Sequence, residues 1–517
     1  MSASEDRFSS AAQAHETADV EDRWTEQQAL DHSVYGLRRA APQMSAHHVL
    51  SRGQQLTGVG VMTALLVGLF AAPIMTVRVV VAALTLLYTA CLAYRLVLVR
   101  HGLRGEHLVR VTDVQARTVP DAELPVYTVL VPAYREPEVI GKVVASLMSL
   151  EYPPAKLDIR LLLEADDTQT IDAARSALAP DDPITVVLVP PGEPRTKPKA
   201  CNYGLQGARG ELVTIFDAED RPEPLQLRRA VVALRRLGPD FACVQARLGY
   251  FNSRQNLITR WFTVEYANWF GLLLPGLVAV GSPVPLGGTS NHFRTDLLRA
   301  LGAWDAYNVT EDADLGIRLA RLGYSVGVLD SLTGEEANSD FVNWVKQRSR
   351  WYKGYLQTWL VHMRHPLTVH RELGWRGALG LHLFIAGTPL TTFLNPAFWA
   401  LTLIWFVQQP AWITTLFPSA VFYLALICFT VGNAAILYTN ALTTRVMNDS
   451  ALLGAALLVP LYWVMMSVAA VKAFYQLVAM PSYWEKTAHG LQHDSAAVGP
   501  VASKLRQTPE PVVGGAQ

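Results

Sequence analysis

Hydrophobic positions fall along this chain in three patterns. Near the start, two almost unbroken apolar runs cover 56–75 and 77–99. Each has about the 20 residues that carry a helix across a bilayer. Pro73 and Arg78 mark the turn between them, and Arg95, Arg100, His101, Arg104 and Arg110 gather at and beyond the second run. Basic flanks of that kind mark the cytosolic side, so the pair predicts a hairpin that begins and ends in the cytosol. From 124 to about 335 the period shortens. Runs of strand length at 126–131, 159–163, 184–189 and 212–216 alternate with helical stretches at 139–150 and 200–208. This β-α-β order predicts a mostly parallel sheet with helices on both faces, and ligands at the carboxyl ends of its strands. Residues 256–274 carry Trp261, Phe262, Tyr266, Trp269 and Phe270 interrupted by Arg260, Glu265 and Asn268. They predict an amphipathic helix on the membrane surface, with packing in a helical core as the alternative.

After His370 the long apolar runs return at 379–406, 416–438 and 452–477. The first is broken by Gly387, Pro389, Asn395 and Pro396, so it is either one span or two broken helices, giving three spans or four. The chain thus divides into a polar segment at 1–50, a two-span hairpin at 51–100, an α/β domain at 120–340, interface helices at 341–375, an apolar block at 376–480 and a tail at 481–517. Residues 1 to about 45 have the composition of disordered or at best loosely helical chain, and the tail from about 496 that of disordered chain.

Composition adds limits. Half of the 517 residues are hydrophobic, and 44 Lys and Arg balance 44 Asp and Glu. No strong basic field is available, which excludes nucleic acid as the main partner. The four cysteines, Cys91, Cys201, Cys243 and Cys428, form no CxxC pair. That spacing indicates neither a zinc site nor a disulfide framework, and a reducing cytosol suits it. Residues 1–50 are too polar to read as a cleavable signal peptide.

Three acidic groups carry the candidate chemistry. Glu164-Ala165-Asp166-Asp167 and Asp217-Ala218-Glu219-Asp220 each follow a strand, and Thr310-Glu311-Asp312-Ala313-Asp314 opens a helix. Each alone reads as turn formation or helix capping. Together they repel unless something positive lies among them, and a divalent cation with a phosphorylated ligand is the usual answer. Lys197 and Lys199 precede a helix whose amino end, with Lys199, suits phosphate. Further on, helical spacing sets Gln347, Arg350 and Trp351 on one face, an amide, a guanidinium fork and an indole platform. A cationic helix lying on anionic lipid is the plain alternative. Neither GxxxxGK[ST] nor a strand followed by GxGxxG is present, so P-loop NTPases and dinucleotide oxidoreductases are not suggested.

In this order the motifs resemble the membrane-bound processive glycosyltransferases of family 2, the group of cellulose, curdlan, chitin and hyaluronan synthases. Val131-Pro132-Ala133-Tyr134-Arg135-Glu136, Asp166-Asp167, Lys199 with Asn202, Asp217-Ala218-Glu219, Gly287-Gly288-Thr289, Thr310-Glu311-Asp312 and Gln347-Arg348-Ser349-Arg350-Trp351 carry the resemblance, over about 50–480. It implies a GT-A-type α/β nucleotide-sugar domain inserted between transmembrane helices, with amphipathic interface helices. The implied catalytic residues are Asp312 as base, with Glu311 and Arg350. The implied nucleotide-sugar contacts are Pro132, Tyr134, Glu136, Asp166, Asp167, Lys199, Asn202, Asp217, Gln347 and Arg348. Trp351, Gly288 and Thr289 are implied at the acceptor. Asp217 and Glu219 are implied ligands of Mg²⁺ or Mn²⁺, with Glu219 or its neighbour Asp220 left open as the second.

The expected activity is inverting transfer from a UDP-sugar, UDP-glucose first, to a growing β-linked glycan that the protein moves across the membrane. The alternative is a single transfer to a membrane lipid. Expected partners are the UDP-sugar, a glycan acceptor and membrane lipid, with an accessory export or regulatory protein left open. The expected location is the plasma or inner membrane, multi-pass, with the catalytic domain in the cytosol.

Overall fold

The computed structural model describes residues 24–481 together with Tyr483 and Glu485. Residues 1–23 and nearly all of the tail, expected to be disordered, lie outside the described residues. Nine strands form one sheet: β1 (Leu108–Val109), β2 (Tyr127–Ala133), β3 (Leu157–Glu164), β4 (Ile184–Val189), β5 (Leu212–Ile215), β6 (Arg221–Pro222), β7 (Phe241–Tyr250), β8 (Asn291–Arg294) and β9 (Ser325–Glu335). Their order is β1-β9-β7-β8-β5-β2-β3-β4, with β6 on β9. Strands β2 to β5 pair in parallel, as the alternation of strands and helices predicts. β8 runs antiparallel to both β5 and β7, so the sheet is mixed. Side chains alternate across a strand. Tyr127, Val129 and Val131 therefore enter the core on one face of the sheet, while Leu130 joins Leu162 and Ile215 on the other.

The amino-terminal segment corrects the expectation of disorder. Glu26–Ala40 is a helix whose Thr25 and Gln28 form a reciprocal capping box. Leu30, Val34 and Leu37 make its buried stripe. The stripe docks on the helix Lys197–Gln206, where Asn202 Nδ2 donates to Ser33 O at 2.9 Å and Gln206 Nε2 to Ala29 O at 2.8 Å. Beyond it, the Ala46 amide and the Ser45 hydroxyl donate to the buried Asp305 carboxylate. Overall polarity concealed a short apolar stripe at helical spacing.

Among the described residues five helices are long and apolar enough to cross a bilayer: Arg52–Ala71, Pro73–Arg104, Pro366–Gln408, Ser419–Val446 and Val459–Ala479. The third continues through Gly387, Pro389 and Asn395 as one path, so the reading of two broken spans there is not realised. A turn at Gly374 and a π segment at Leu381–Ala386 absorb its irregularities. The fifth runs beside the helix Phe341–His362. Asp449, ahead of it, pairs with Arg254 of the α/β domain, and Glu485, beyond it, meets Lys472 and Arg350.

The helix Leu257–Asn268, expected on the membrane surface, packs against the apolar helices. It buries Trp261 and Phe262 against Trp344 and Tyr462, and continues through Trp269–Leu273 into Leu274–Ala279.

Leu37 is 6 % exposed and packs on Gly302. Leu37→Ala is expected to cost about 2 kcal/mol, the low end for a buried leucine because the cluster around it is small. A thermal-shift measurement against a substitution at exposed Gln27 checks it.

Candidate active site

One cavity of about 630 Å³ begins at Tyr134, Glu136 and Arg195, above the carboxyl ends of β2 and β3. It passes Asp217, Glu219, Gly288, Glu311, Asp312 and Arg350, and ends among Tyr88, Arg95, Asn395 and Trp399 of the apolar helices. Each motif reaches it for a local reason. β2 ends in Tyr134 and Arg135, and Arg135 holds φ +54°, fixed by its amide donating to Asp167 Oδ2 at 2.5 Å. β5 ends at Ile215, which delivers Asp217 and Glu219 to the mouth. The helix Glu311–Arg321 begins at the cavity, and Phe341–His362 lays Gln347, Arg350 and Trp351 along its other wall.

Asp312 and Lys197 meet across Gly288. A Cβ added there would lie 3.5 Å from Asp312 Oδ2 and 3.8 Å from Lys197 Nζ. Lys197 also donates to Gly288 O at 2.8 Å and pairs with Asp217. Burial pushes the Asp312 carboxyl up to about 6, and burial with the neighbouring Asp312 charge pushes Glu311 up to about 8. The field of Arg350 falls on Glu311, Asp312 and Asp217 together. Trp351 lies 6.1 Å from the Tyr266 ring, nearly parallel to it. Behind it, the Arg348 guanidinium stacks at 4.6 Å.

Several expected contacts are placed elsewhere. Lys199 is fully buried and donates to Glu164 Oε2 at 2.9 Å and to the carbonyls of Pro190 and Gly192. The helix Lys197–Gln206 turns Lys199, Asn202 and Leu205 inward, so Lys197, two residues earlier, is the ammonium that lines the cavity. Asn202 holds Ser33 O and Trp304 O and is absent from the cavity wall. Asp167 caps the helix Thr168–Ala177, and Asp166 pairs with Arg195 at 2.7 Å, so it is Arg195 that reaches the cavity. Arg348 commits its fork to Glu265, at 2.8 Å for Nη1, and supports Trp351. The Thr289 hydroxyl turns to Asp220 and Ile215 O. Pro132 lines the cavity, and Gln347 does so while accepting from Asn338 at 2.8 Å.

Asp220 is 1 % exposed and accepts from the Asp217 amide at 2.8 Å, whereas Glu219 lines the cavity. Sequence reasoning missed Arg195, Glu335 and Glu336. The last two lie at and just past the end of β9, a strand whose acidic terminus was the available signal. Burial, then the charges of Asp220, Asp217 and Glu219, hold the Glu335 carboxyl well above the usual range. This excess of carboxylate oxygens beside one lysine suits a hard divalent cation. Among the described residues no three His, Cys, Asp or Glu side chains form a closed cage. An open set of this kind suits an ion completed by diphosphate oxygens, and Asp217 and Glu219 are the cavity-lining carboxylates that could hold one.

Residues 125–354 match the family described as "Glycosyltransferase like family 2". The chain carries a glycosyltransferase family 2 domain. Its mixed sheet, with a cavity above the strand ends, is a GT-A-type α/β fold. The chain is 30 % identical over 272 residues to a beta-monoglucosyldiacylglycerol synthase of Synechocystis sp., covering 52 % of this chain and 55 % of that one. It is 26 % identical over 243 residues to a probable glucomannan 4-beta-mannosyltransferase of Arabidopsis thaliana, covering 44 % and 43 %. The chain thus spans about half the length of the curated relatives it matches. Among solved structures, the mannosyltransferase PcManGT of Pyrobaculum calidifontis, in complex with GDP-Man and Mn²⁺, is similar at 20 % identity and a TM-score of 0.47. That match covers 77 % of this chain and 99 % of that one.

The two lysines separate by experiment. Lys197→Met is expected to raise the donor KM about tenfold or more, the loss of one charge-assisted contact, while leaving the melting temperature nearly unchanged. Lys199→Met leaves Glu164 buried without its partner and is expected to cost about 3–5 kcal/mol of stability.

Proposed function

We propose that the protein is an inverting glycosyltransferase that takes a sugar from a UDP-sugar, UDP-glucose first. It adds that sugar to a β-linked glycan growing into the membrane end of the cavity and moving across the membrane. The observation that carries this reading is the single cavity itself. It runs from Tyr134 at the strand ends to Trp399 among the apolar helices, with Asp312 and Arg350 between. Tyr134, Glu136 and Arg195 border the nucleotide end and Trp351 offers the acceptor sugar a flat apolar face.

Asp312, ionised, accepts the proton of the acceptor hydroxyl as its oxygen attacks the anomeric carbon from behind. Lys197 and Arg350 stabilise the charge that develops on the departing diphosphate. Asp217 and Glu219 would hold Mg²⁺ or Mn²⁺, which supplies charge neutralisation of the diphosphate when bound. One attack from behind inverts an α-linked donor to a β-linked product. The long apolar helices support a multi-pass membrane location, and the basic cluster after the second helix supports a catalytic domain in the cytosol, where UDP-sugars are made.

A second reading is a single transfer to a membrane lipid. It is supported by the similarity to a beta-monoglucosyldiacylglycerol synthase and by the opening of the cavity among lipid-facing helices. UDP release by purified protein against a panel of UDP-sugars, with the product sized, tests both. A polymer supports the glycan reading and a single glycosylated lipid the second. No release with any donor, with and without Mg²⁺ or Mn²⁺, would sink the transferase reading.

The pH dependence follows from the base. Asp312 must be ionised to accept a proton, and its carboxyl is raised to about 6. kcat/KM is therefore expected to fall as pH drops through about 6, well above the ordinary aspartate value near 3.9. Asp312→Asn should retain UDP binding and lose transfer. Turnover of that variant at the wild-type rate would remove Asp312 from the mechanism.

A further inference from the structure

The membrane end of the cavity holds an ionised group without a counterpart. Arg95 lies on the long apolar helix Pro73–Arg104 and lines the cavity. Among the described residues its guanidinium makes no hydrogen bond or ion pair. The carboxylate that acts on it most strongly is Glu265. That carboxylate is already taken by the Arg348 fork and by the Tyr462 hydroxyl at 2.7 Å. Two guanidinium groups thus share one carboxylate, leaving one positive charge in excess where dielectric screening is weak. An ionisable side chain within a membrane-crossing helix is costly unless it meets an opposite charge. Two orphaned acceptors line the same cavity: Asn268 Oδ1 and Asn395 Oδ1 are buried without partners.

Polarity then falls with depth. Tyr88, Asn395, Trp399 and Asn433 also border a smaller chamber of about 90 Å³, walled otherwise mainly by aromatic and aliphatic side chains. Phe406 and Phe429 at its edge are 55 % and 37 % exposed, so it opens sideways toward lipid. A cation, two hydrogen-bond acceptors and an apolar exit, in that order, match the build of a lipid with an anionic headgroup. A glycan chain needs no cation, and a free anion needs no apolar exit.

We propose that this end of the cavity is a binding subsite for an anionic phospholipid with a hydroxyl-bearing headgroup. Arg95 holds the phosphate oxygens, Asn268 and Asn395 accept from headgroup hydroxyls, and the hydrocarbon leaves past Phe406 and Phe429. The proposal builds on the transferase reading, in which this is the acceptor end, but its test does not depend on transfer.

Full-length protein is placed in nanodiscs of phosphatidylcholine mixed with phosphatidylglycerol, and the lipid retained after transfer to neutral detergent is weighed by native mass spectrometry. Wild type is expected to retain phosphatidylglycerol over phosphatidylcholine. Arg95→Gln should lose that preference about tenfold or more, and Arg95→Lys, which keeps the charge but not the fork, should lose less. UDP affinity, measured calorimetrically at the far end of the cavity, reports whether each variant is folded. Equal preference in wild type and Arg95→Gln, or none in wild type, would overturn the subsite. Displacement of the lipid by millimolar inorganic phosphate would also overturn it, reducing it to an adventitious anion site. Labelled sugar from the donor distinguishes two roles for a retained lipid. Label on phosphatidylglycerol makes it the acceptor, and label on a separate glycan makes it a resident beside the acceptor path; both support the subsite. Failure of UDP release with every donor, with lipid preference intact, would remove the transferase reading and leave the lipid site standing.

Discussion

The position of Asp312 relative to Arg350 depends on one buried contact between the helices Glu311–Arg321 and Phe341–His362. Asp314 and Arg318, both nearly inaccessible, pair at 2.8 Å along the first helix. The other Asp314 oxygen meets His362 Nε2 at 3.0 Å on the second. Burial alone would raise Asp314, yet Arg318 and His362 hold it below the usual carboxylate range, while burial lowers His362. His362 in turn meets Arg321, which pairs with Glu372 at 2.6 Å. Breaking such a network strands a buried charge at about 3–5 kcal/mol, so the two helices move as one body. They also approach too closely for any side chain at Gly354, where a Cβ would collide with Thr310. Asn308 and Gln357 complete the seam through Thr358 Oγ1 at 3.0 Å and the Val309 amide at 3.3 Å.

Around this rigid frame the charges are unequally shared. Asp217, Glu219, Glu335 and Glu336 crowd one side of the cavity, and Lys197 and Arg350 face them from the other elements. Burial raises the carboxyls of Glu311, Asp312 and Glu335, and neighbouring acids add to it at Glu311 and Glu335. The same frame explains Trp351. Its ring rests on Arg348, Arg348 on Glu265, and Glu265 on Tyr462 of the last apolar helix, so this wall of the cavity is tied to the apolar block.

The sequence made legible what depends on local pattern. Strands β2 to β5 declared themselves by short β-branched runs, and the acids at their ends lie where parallel sheets place ligands. The Gln347–Trp351 face followed from helical spacing alone. Strands β8 and β9 did not announce themselves. β8 is four residues long, and its antiparallel place between β5 and β7 is set by distant partners. Lys199 was preferred to Lys197 because motif order says nothing about which way a helix is rotated when it docks. Arg348 is implied as a nucleotide-sugar contact because sequence cannot show a carboxylate 83 residues away reaching it first. The amino-terminal helix was missed because composition averages over a stripe of three apolar residues.

That helix carries a consequence for how the molecule is assembled. Ala46 donates to Asp305 across 259 residues of chain. Ribosomes add roughly 5–20 residues per second, so the segment waits on the order of 10–50 s between its own synthesis and that of its anchor. In the interval the first two apolar helices and strands β1 to β8 are made without it. It closes over the helix Lys197–Gln206 and the loop ahead of Asp312 only once both exist, so its docking registers that the catalytic domain has been built.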